Sequence, residues 1–149
     1  MIMKIFHAIV AFLLLIVSSE SVLLGGIHDV ESGVEDAYVM SAVNEGMHEL
    51  NAQRNGPLAF VALEVLEVNQ QVVSGMKYTI VARIAPSSCP YVSGERLASY
   101  FASETCAADE GDAEIYQMQV WARPWLQEAP YQLMAADPVT KKGEDGKWI

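Results

Sequence analysis

The strictest pattern in this chain is a period of two that runs from Met76 to Ala85. Residues of one set alternate there with apolar residues of a second set. The first set is Lys77, Thr79, Val81 and Arg83, and the second is Tyr78, Ile80, Ala82 and Ile84. Because successive side chains of a strand point to opposite faces of a sheet, the pattern predicts an antiparallel strand with one face on a core. Other segments must then supply partner strands and a cover for that face.

Three other segments are predicted to be strands. Leu58 to Val68 is rich in Val and Leu, Ala113 to Arg123 repeats the period of two, and Leu126 to Met134 supplies a last strand. Five residues, Gln71 to Gly75, connect the first two long strands as a hairpin, and the glycine that ends this connection suits a positive φ or a bulge. Trp121, on the third strand, is expected to lie in the core.

A helix is predicted before the strands, over roughly Val30 to Asn51. Apolar residues recur there at steps of four, four and three, and these are Val39, Val43, Met47 and Leu50. Asn55-Gly56-Pro57 ends the helix and makes a turn. One helix followed by a meander of strands predicts an α+β fold, in which an antiparallel sheet of four to five strands wraps across one long helix.

The N-terminus has the features of a secretory leader. Met1 to Lys4 is a short basic start, and Ile5 to Val17 is an apolar run interrupted only by His7. This run has the length of a signal-peptide apolar region and is too short to span a bilayer, and small residues follow it. A buried N-terminal helix is the alternative interpretation.

This pattern predicts three regions. A signal peptide covers residues 1–21 and is cleaved after Ser19 or Ser21, one domain covers residues 22–137, and a polar tail covers residues 138–149. The mature protein is therefore expected to be secreted, extracellular and free of membrane contact.

Acidic side chains outnumber basic ones by 19 to 9, which gives a formal net charge of −10. Phosphate binding requires clustered Lys and Arg, so nucleic acid is not an expected partner. The same argument excludes an anionic membrane surface. Excess negative charge keeps a secreted protein soluble, and we assign the acidity to that role.

Cys89 and Cys106 are the two cysteines of the chain. In an oxidising compartment an even pair is expected to form one disulfide, and closing a loop of this length stabilises a protein by roughly 3 kcal/mol. Neither His28 nor His48 lies at ligand spacing from a cysteine, so no metal site is expected.

The sequence lacks the usual patterns of an enzyme. No histidine accompanies a serine or cysteine in a nucleophile motif, and no phosphate-binding loop is present. The acidic run Asp109-Glu110-Gly111-Asp112 lacks the full spacing of a calcium loop. The chain is therefore expected to be neither an enzyme nor a cofactor-binding protein.

Three short segments, in order around the predicted helix and strands, resemble the secreted members of the cystatin family. They are two glycines after apolar residues near the mature N-terminus, a Gln-x-Val-x-Gly hairpin, and a Pro-Trp pair in a later hairpin. Here they read Leu23-Leu24-Gly25-Gly26, Gln71-Val72-Val73-Ser74-Gly75 and Pro124-Trp125. If each residue type occupies about one position in twenty, the hairpin pattern alone arises by chance in roughly 2% of chains of this length. The resemblance is specific because the hairpin pattern occurs together with the other two segments and in the order of the family.

The resemblance implies a cystatin-like fold and a reversible, competitive inhibitor of papain-like cysteine proteases such as cathepsins. In that family the three segments form a wedge that occludes the active-site cleft without a covalent step. Leu23-Leu24 would fill apolar subsites, and the chain would turn away from the catalytic cysteine at Gly25-Gly26. The first hairpin would enter the cleft as a pre-organised tip. Trp125 would add an aromatic anchor, with Pro124 fixing the approach of its loop.

Two departures from the family pattern stand out. Secreted cystatins usually carry two disulfides, and Cys89 and Cys106 look like the first pair. Tyr116 stands where the third cysteine is expected, and no cysteine follows Trp125. The C-terminal tail is also longer than the usual ending of the family.

The resemblance implies one further candidate site, because some secreted cystatins use an asparagine after the helix to inhibit legumain-type proteases. Asn55 occupies that place by its spacing from the first hairpin, although its neighbours Arg54 and Gly56 differ from the family's local Ser-Asn-Asp signature. The alternative role is that of a turn-forming Asn-Gly pair.

Two questions stay open from the sequence. The alternative function is that of a cystatin-fold protein with a non-inhibitory, receptor-binding or immunomodulatory role. The expected assembly is a monomer, while a long hairpin joined by a tight loop also allows a domain-swapped dimer.

Overall fold

The structure is a computed structural model that describes residues 27–29 and 36–149. The predicted signal peptide and the arm from Leu23 to Gly26 lie outside the described residues. No helix in the described ranges is both long and apolar enough to cross a membrane.

The described residues form one α-helix and one antiparallel sheet, which confirms the predicted α+β class. The elements are β1 (Ile27–Asp29), α1 (Ala37–Arg54), β2 (Leu58–Val73), β3 (Gly75–Pro90), a short 3₁₀ turn (Glu110–Asp112), β4 (Glu114–Ala122) and β5 (Tyr131–Val139). The strands lie in the sheet in their order along the chain, and each pairs antiparallel with the next. This meander wraps across α1.

Both ends of α1 are set by side chains and backbone that satisfy its free polar groups. The Asp36 carboxylate accepts hydrogen bonds from the backbone N–H groups of Tyr38 and Val39, at 2.7 and 3.3 Å. At the other end Asn55 adopts a left-handed conformation, with φ of 46°, and its N–H donates to the carbonyl of Asn51. The helix therefore begins at Ala37 rather than near Val30, and it ends at Arg54, three residues later than predicted.

The predicted apolar face of α1 is confirmed, since Val39, Val43, Met47 and Leu50 are all buried. They pack on the inner face of the sheet, where the predicted apolar set of Tyr78, Ile80, Ala82 and Ile84 is joined by Met118 and Val120. Gly46 lets the helix approach β4 closely, because a Cβ at this position would stand 3.1 Å from Cγ2 of Val120. The core thus lies between one helix and one face of the sheet.

The strands differ from the predicted ones mainly at their ends. β2 and β3 stay paired up to Val73 and Gly75, so the predicted five-residue connection is reduced to a turn at Ser74. The long hairpin bends at register shifts within β2, which lets it follow the helix. The last strand is Tyr131–Val139 rather than Leu126 to Met134, because a turn and Pro130 occupy the earlier residues.

The predicted disulfide between Cys89 and Cys106 is present. It joins the end of β3 to the segment before β4. Hydrogen bonds on either side of it fix the same segment, including Ser88 N–H to the carbonyl of Ala107 at 2.8 Å. The buried hydroxyl of Ser87 donates to the carbonyl of Ala59.

The C-terminal residues fold back onto the outer face of the sheet, which is the face opposite α1. The carboxylate of Glu67 accepts hydrogen bonds from Lys142 Nζ at 2.6 Å and from Trp148 Nε1 at 2.9 Å. The N–H of Thr140 donates to the carbonyl of Ile149 at 2.7 Å. The residues after β5 are therefore held to β2 by a polar side chain in its middle.

Candidate functional site

The tip of the first hairpin carries apolar side chains that face solvent. Val72 and Val73 are 48% and 42% exposed, and Ser74 between the strands is exposed as well. Because the ladder of β2 and β3 continues to the last pair before the turn, the tip projects beyond the core as a paired and therefore stiff structure. Gln71, at the base of this tip, is half-buried and pairs with Lys77.

Gly75 is required at its position by conformation and by space. Its φ of +103° is one that side-chain-bearing residues rarely adopt. A Cβ here would overlap the carbonyl oxygen of Ala122 and stand 3.2 Å from Cη2 of Trp125. The first hairpin therefore meets the end of β4 and the following loop at this glycine.

The second hairpin joins β4 to β5 and presents Trp125. The N–H of Arg123 donates to the carbonyl of Pro130 at 2.6 Å and closes the base of the loop, while the N–H of Leu126 donates to the carbonyl of Arg123 and makes a turn. Pro124 and Trp125 lie within this turn, and Trp125 is 58% exposed. The fold thus brings two of the three sequence-predicted segments together at one edge.

An apolar cleft of about 340 Å³ lies beside Trp125 on the helix side of the sheet. Its lining combines both hairpins with the start of the helix, and comprises Tyr38, Gly75, Met76, Tyr78, Ala122, Pro124, Trp125 and Tyr131. Burial, together with the nearby carboxylate of Asp36, raises the pKa of the Tyr78 phenol, so this group stays neutral near pH 7. The cleft wall is therefore uncharged at Tyr78.

Sequence reasoning missed Tyr38 and Tyr131 as neighbours of Trp125. Tyr131 pairs with Ala122 across β4 and β5, so its place depended on where β5 begins. Tyr38 is in the first turn of α1 and is 68% exposed, and only the packing of the helix brings it to this edge. Neither position could be inferred from the sequence, because both depend on the tertiary arrangement.

The prediction that Trp121 lies in the core is wrong. The alternation along β4 places Met118, Val120 and Ala122 on the helix side, so Trp121 lies on the outer face and is half-buried there. Its indole Nε1 donates a hydrogen bond to the carbonyl of Ser74 at 2.8 Å. The guanidinium carbon of Arg123 lies 4.0 Å from the centroid of its ring.

The third predicted segment, Leu23-Leu24-Gly25-Gly26, lies outside the described residues. The strand that follows it is described, and Ile27 pairs with Gln71 of the first hairpin. The chain at residue 27 therefore runs beside the base of that hairpin.

Asn55 lies at a different part of the molecule. It caps the C-terminus of α1 and precedes β2, whereas Val73 and the first hairpin lie at the far end of that strand. Asn55 is exposed. Its left-handed backbone is one that asparagine tolerates better than most residues, which suits the turn-forming role.

Among residues 27–29 and 36–149, no group of three or more His, Cys, Asp or Glu side chains is arranged to hold a metal ion. The site described above is instead built from exposed apolar side chains on two packed hairpins.

Residues 25–125 match the sequence model of the cystatin domain. The chain is 30% identical to cystatin cpi-2 of Brugia malayi over 105 aligned residues. These residues cover 70% of this chain and 62% of that protein. Onchocystatin of Onchocerca volvulus is also 30% identical over 105 aligned residues, which cover 70% of this chain and 61% of that protein. The chain thus spans less than two thirds of these two relatives. A cystatin of Tropidechis carinatus is 26% identical over 127 residues, which cover 83% of this chain and 88% of that protein.

Two solved structures share the fold. Dimeric human cystatin F matches with a TM-score of 0.61 at 19% identity, over 81% of this chain and 91% of that one. The salivary cystatin from the soft tick Ornithodoros moubata matches with a TM-score of 0.60 at 21% identity, over 76% and 96% of the two chains. At such identities the likeness establishes the arrangement of helix and sheet.

Proposed function

The chain belongs to the cystatin family, and on that premise we propose that it is a reversible, competitive inhibitor of papain-like cysteine proteases, cathepsins among them. The proposed binding surface is here called the inhibitory edge. It comprises the first hairpin (Gln71-Val72-Val73-Ser74-Gly75), the Pro124-Trp125 pair and the arm Leu23-Leu24-Gly25-Gly26. The observation that carries the proposal is the contact at Gly75, which brings the exposed Trp125 against the hairpin that carries two exposed valines.

The physical chemistry of the edge suits occlusion of a cleft. Val72 and Val73 have stiff, β-branched side chains on a fully paired hairpin, so little conformational entropy is lost when they dock. Trp125 offers an aromatic surface of roughly 150–250 Å² for burial against apolar walls. A wedge of this kind blocks substrate by occupying the cleft and needs no bond to the catalytic cysteine.

We also propose that the protein is secreted after removal of residues 1–21. The Cys89–Cys106 disulfide supports an oxidising compartment, since such bonds persist in secreted proteins and are rare in the cytosol. In this proposal the domain of residues 22–137 is active as a monomer, and residues 138–149, of which the first two complete β5, are an appended tail. Mass spectrometry of the protein collected from the medium of expressing eukaryotic cells tests the leader, with a first residue of Glu20 or Val22 expected.

A second proposed site is Asn55, as an inhibitory asparagine for legumain-type proteases. Its exposure, and its separation from the first hairpin along β2, favour an activity independent of the inhibitory edge. The variant Asn55→Gly is a sharp test, because glycine also accepts the positive φ and keeps the helix cap. Legumain inhibition is expected to be lost with papain inhibition unchanged. If the wild-type chain does not inhibit legumain, Asn55 has the turn-forming role alone.

The test of the main proposal is a titration of papain and of a cathepsin with the mature, disulfide-bonded chain. Inhibition at sub-micromolar concentration is expected, overcome by excess substrate and reversed by dilution. An unaffected protease at micromolar inhibitor contradicts the proposal and favours the receptor-binding or immunomodulatory alternative.

A further inference from the structure

We propose that Trp121 is a positioning residue for the inhibitory edge, which it serves by holding the first hairpin and the second hairpin in fixed relation from the outer face of the sheet. This inference rests on the proposed inhibitory function. It concerns a residue that does not line the apolar cleft and that reaches the tip of the first hairpin through the backbone carbonyl of Ser74. The geometry on which it depends is a chain of contacts from Ser74 through Trp121 and Arg123 to Gln132.

The first link fixes the turn of the first hairpin. Trp121 pairs with Lys77 in the ladder of β3 and β4, and its indole reaches past this pair to the turn. There Nε1 donates to the carbonyl of Ser74 at 2.8 Å. Ser74 is exposed and is the single residue between β2 and β3, so its carbonyl would otherwise depend on water. The bond from β4 limits the swing of the tip relative to the sheet.

The second link ties the loop that carries Trp125 to the same indole. The Arg123 guanidinium stacks on the Trp121 ring with its central carbon 4.0 Å from the centroid. Its Nη2 donates to the side-chain oxygen of Gln132 at 2.8 Å, across the base of the second hairpin. The backbone N–H of Arg123 holds the other side of the loop through Pro130. One indole thus contacts the turn of one hairpin and the base of the other.

Arg123 has a further feature that fits a positioning role. Its Nε is buried and has no hydrogen-bond partner among the described residues. The guanidinium is held between the Trp121 ring and the side chain of Gln132, and this stacked orientation places Nη2 on Gln132 and keeps the loop closed.

The two hairpins are therefore held together from both faces of the sheet. On the helix side Trp125 lies against Gly75. On the outer face Trp121 bonds to Ser74 and carries Arg123. Loss of the outer contacts should let the valine tip and Trp125 move relative to one another while both stay exposed. The inhibitory edge would then lose more conformational entropy when it docks.

The variant Trp121→Phe tests this inference, because it keeps an aromatic ring under Arg123 and removes the N–H that bonds to Ser74. The matched control is Trp148→Phe, which removes the indole N–H bonded to Glu67 on the same outer face and has no hydrogen bond to the turn at Ser74. Three readouts are needed: the inhibition constant for papain, the amide hydrogen exchange of residues 72–76 in the free protein, and the midpoint of thermal unfolding.

We expect Trp121→Phe to weaken inhibition by about 5- to 10-fold, the size associated with one hydrogen bond. Exchange at residues 72–76 should become faster by a similar factor, and the unfolding midpoint should match that of Trp148→Phe, which should inhibit like the wild type. The second variant Arg123→Met should weaken inhibition in the same direction, because it removes the stack and the bond to Gln132. Unchanged exchange at residues 72–76, or faster exchange with unchanged inhibition, overturns the inference. A loss of inhibition fully explained by the unfolded fraction overturns it as well.

Failure of the inhibitory function is distinguishable from failure of this inference. If the wild-type chain does not inhibit papain, the proposed function fails, and the inhibition constant gives no information for any variant. The exchange readout in the free protein then decides alone whether Trp121 holds the turn at Ser74.

Discussion

The indole of Trp125 lies so close to Gly75 that a Cβ on the glycine would stand 3.2 Å from its Cη2 atom. The same Cβ would overlap the carbonyl oxygen of Ala122 at the end of β4. A glycine in the first hairpin and a tryptophan in the second, 50 positions further on, thus form one packed unit. The inhibitory edge depends on this contact.

The variant Gly75→Ala should disrupt this contact. The added methyl group cannot coexist with the Ala122 carbonyl, so the second hairpin must shift away from the first. We expect inhibition to fall by at least about 10-fold, together with a loss of roughly 1–3 kcal/mol of unfolding free energy from the strained φ. The inhibition constant and chemical denaturation measure the two effects.

Gly94→Ala is the matched control for that variant. Gly94 also has a positive φ, +83°, but a Cβ there would meet nothing within 4 Å. This control should lose stability through backbone strain alone and keep full inhibition. Equal inhibition by the two variants would show that contact at Gly75 does not matter for the edge.

The variant Trp125→Ala removes the largest exposed aromatic group of the proposed edge. Since Trp125 is 58% exposed, its removal should leave the unfolding free energy within about 0.5 kcal/mol of the wild type. Inhibition of papain should weaken by about 30-fold or more, as expected for an interface hot spot of at least roughly 2 kcal/mol. Inhibition at the wild-type level would mean that Trp125 does not touch the protease.

Arg54 links the end of α1 to the sheet at Tyr116. Its guanidinium carbon lies 3.8 Å from the centroid of the Phe60 ring, and Nη1 donates to the hydroxyl of Tyr116 at 2.8 Å. The ion pair with Glu114 is partly exposed and weaker. Tyr116 therefore supports the end of β4 through packing and a hydrogen bond.

We expect Arg54→Met to lower the unfolding free energy by about 1–2 kcal/mol, because it removes a cation–π contact and leaves the Tyr116 hydroxyl without its donor. Papain inhibition should not change, since Arg54 adjoins Asn55 rather than the first hairpin. The matched control is Arg83→Met, whose guanidinium lies 3.9 Å from Glu64 at an exposed site. Equal denaturation midpoints for the two variants would contradict the stabilising role of Arg54.

Glu67 should make stability depend on pH. Burial opposes its ionisation, but hydrogen bonds from Lys142, Trp148 and Asn69 outweigh that effect and hold the pKa of Glu67 below its ordinary value of 4.5. A carboxyl whose pKa is lower in the folded state stabilises the fold above the pKa of the unfolded state. That contribution is lost as the pH falls through the folded pKa.

The variant Glu67→Gln should therefore lower stability near pH 7 and flatten the decline below about pH 4.5. Urea denaturation at a series of pH values, with Glu64→Gln as control at an exposed site of the same strand, measures the difference. Parallel pH profiles for the wild type and Glu67→Gln would contradict the account of the C-terminal contact.

The sequence predicted the faces of the elements well because their periodicity is local. The alternation from Lys77 to Ile84 and the helical spacing of Val39 and Met47 need only the geometry of a strand and a helix. The same alternation groups Trp121 with Gln117 and Gln119 on the outer face. The prediction of a core tryptophan was wrong because the buried positions of β4 are those of Met118, Val120 and Ala122.

The ends of the strands could not be predicted in the same way. Pairing of β2 and β3 continues to Ser74 because each strand offers the other a partner, which is a tertiary property. β5 begins at Tyr131 because hydrogen bonds at Arg123 close the preceding loop. The contact of Trp125 with Gly75, and the cleft completed by Tyr38, follow from those ends and from the packing of the helix.

The central claim, occlusion of the active-site cleft by the inhibitory edge, is tested most directly by calorimetric titration of papain in two states. One sample has a free cleft, and in the other a covalent peptidyl inhibitor fills the cleft. The account predicts binding near one to one, at sub-micromolar affinity, for the free protease and no detectable binding for the blocked one. Equal binding to both samples, or no binding to the free protease, would contradict it.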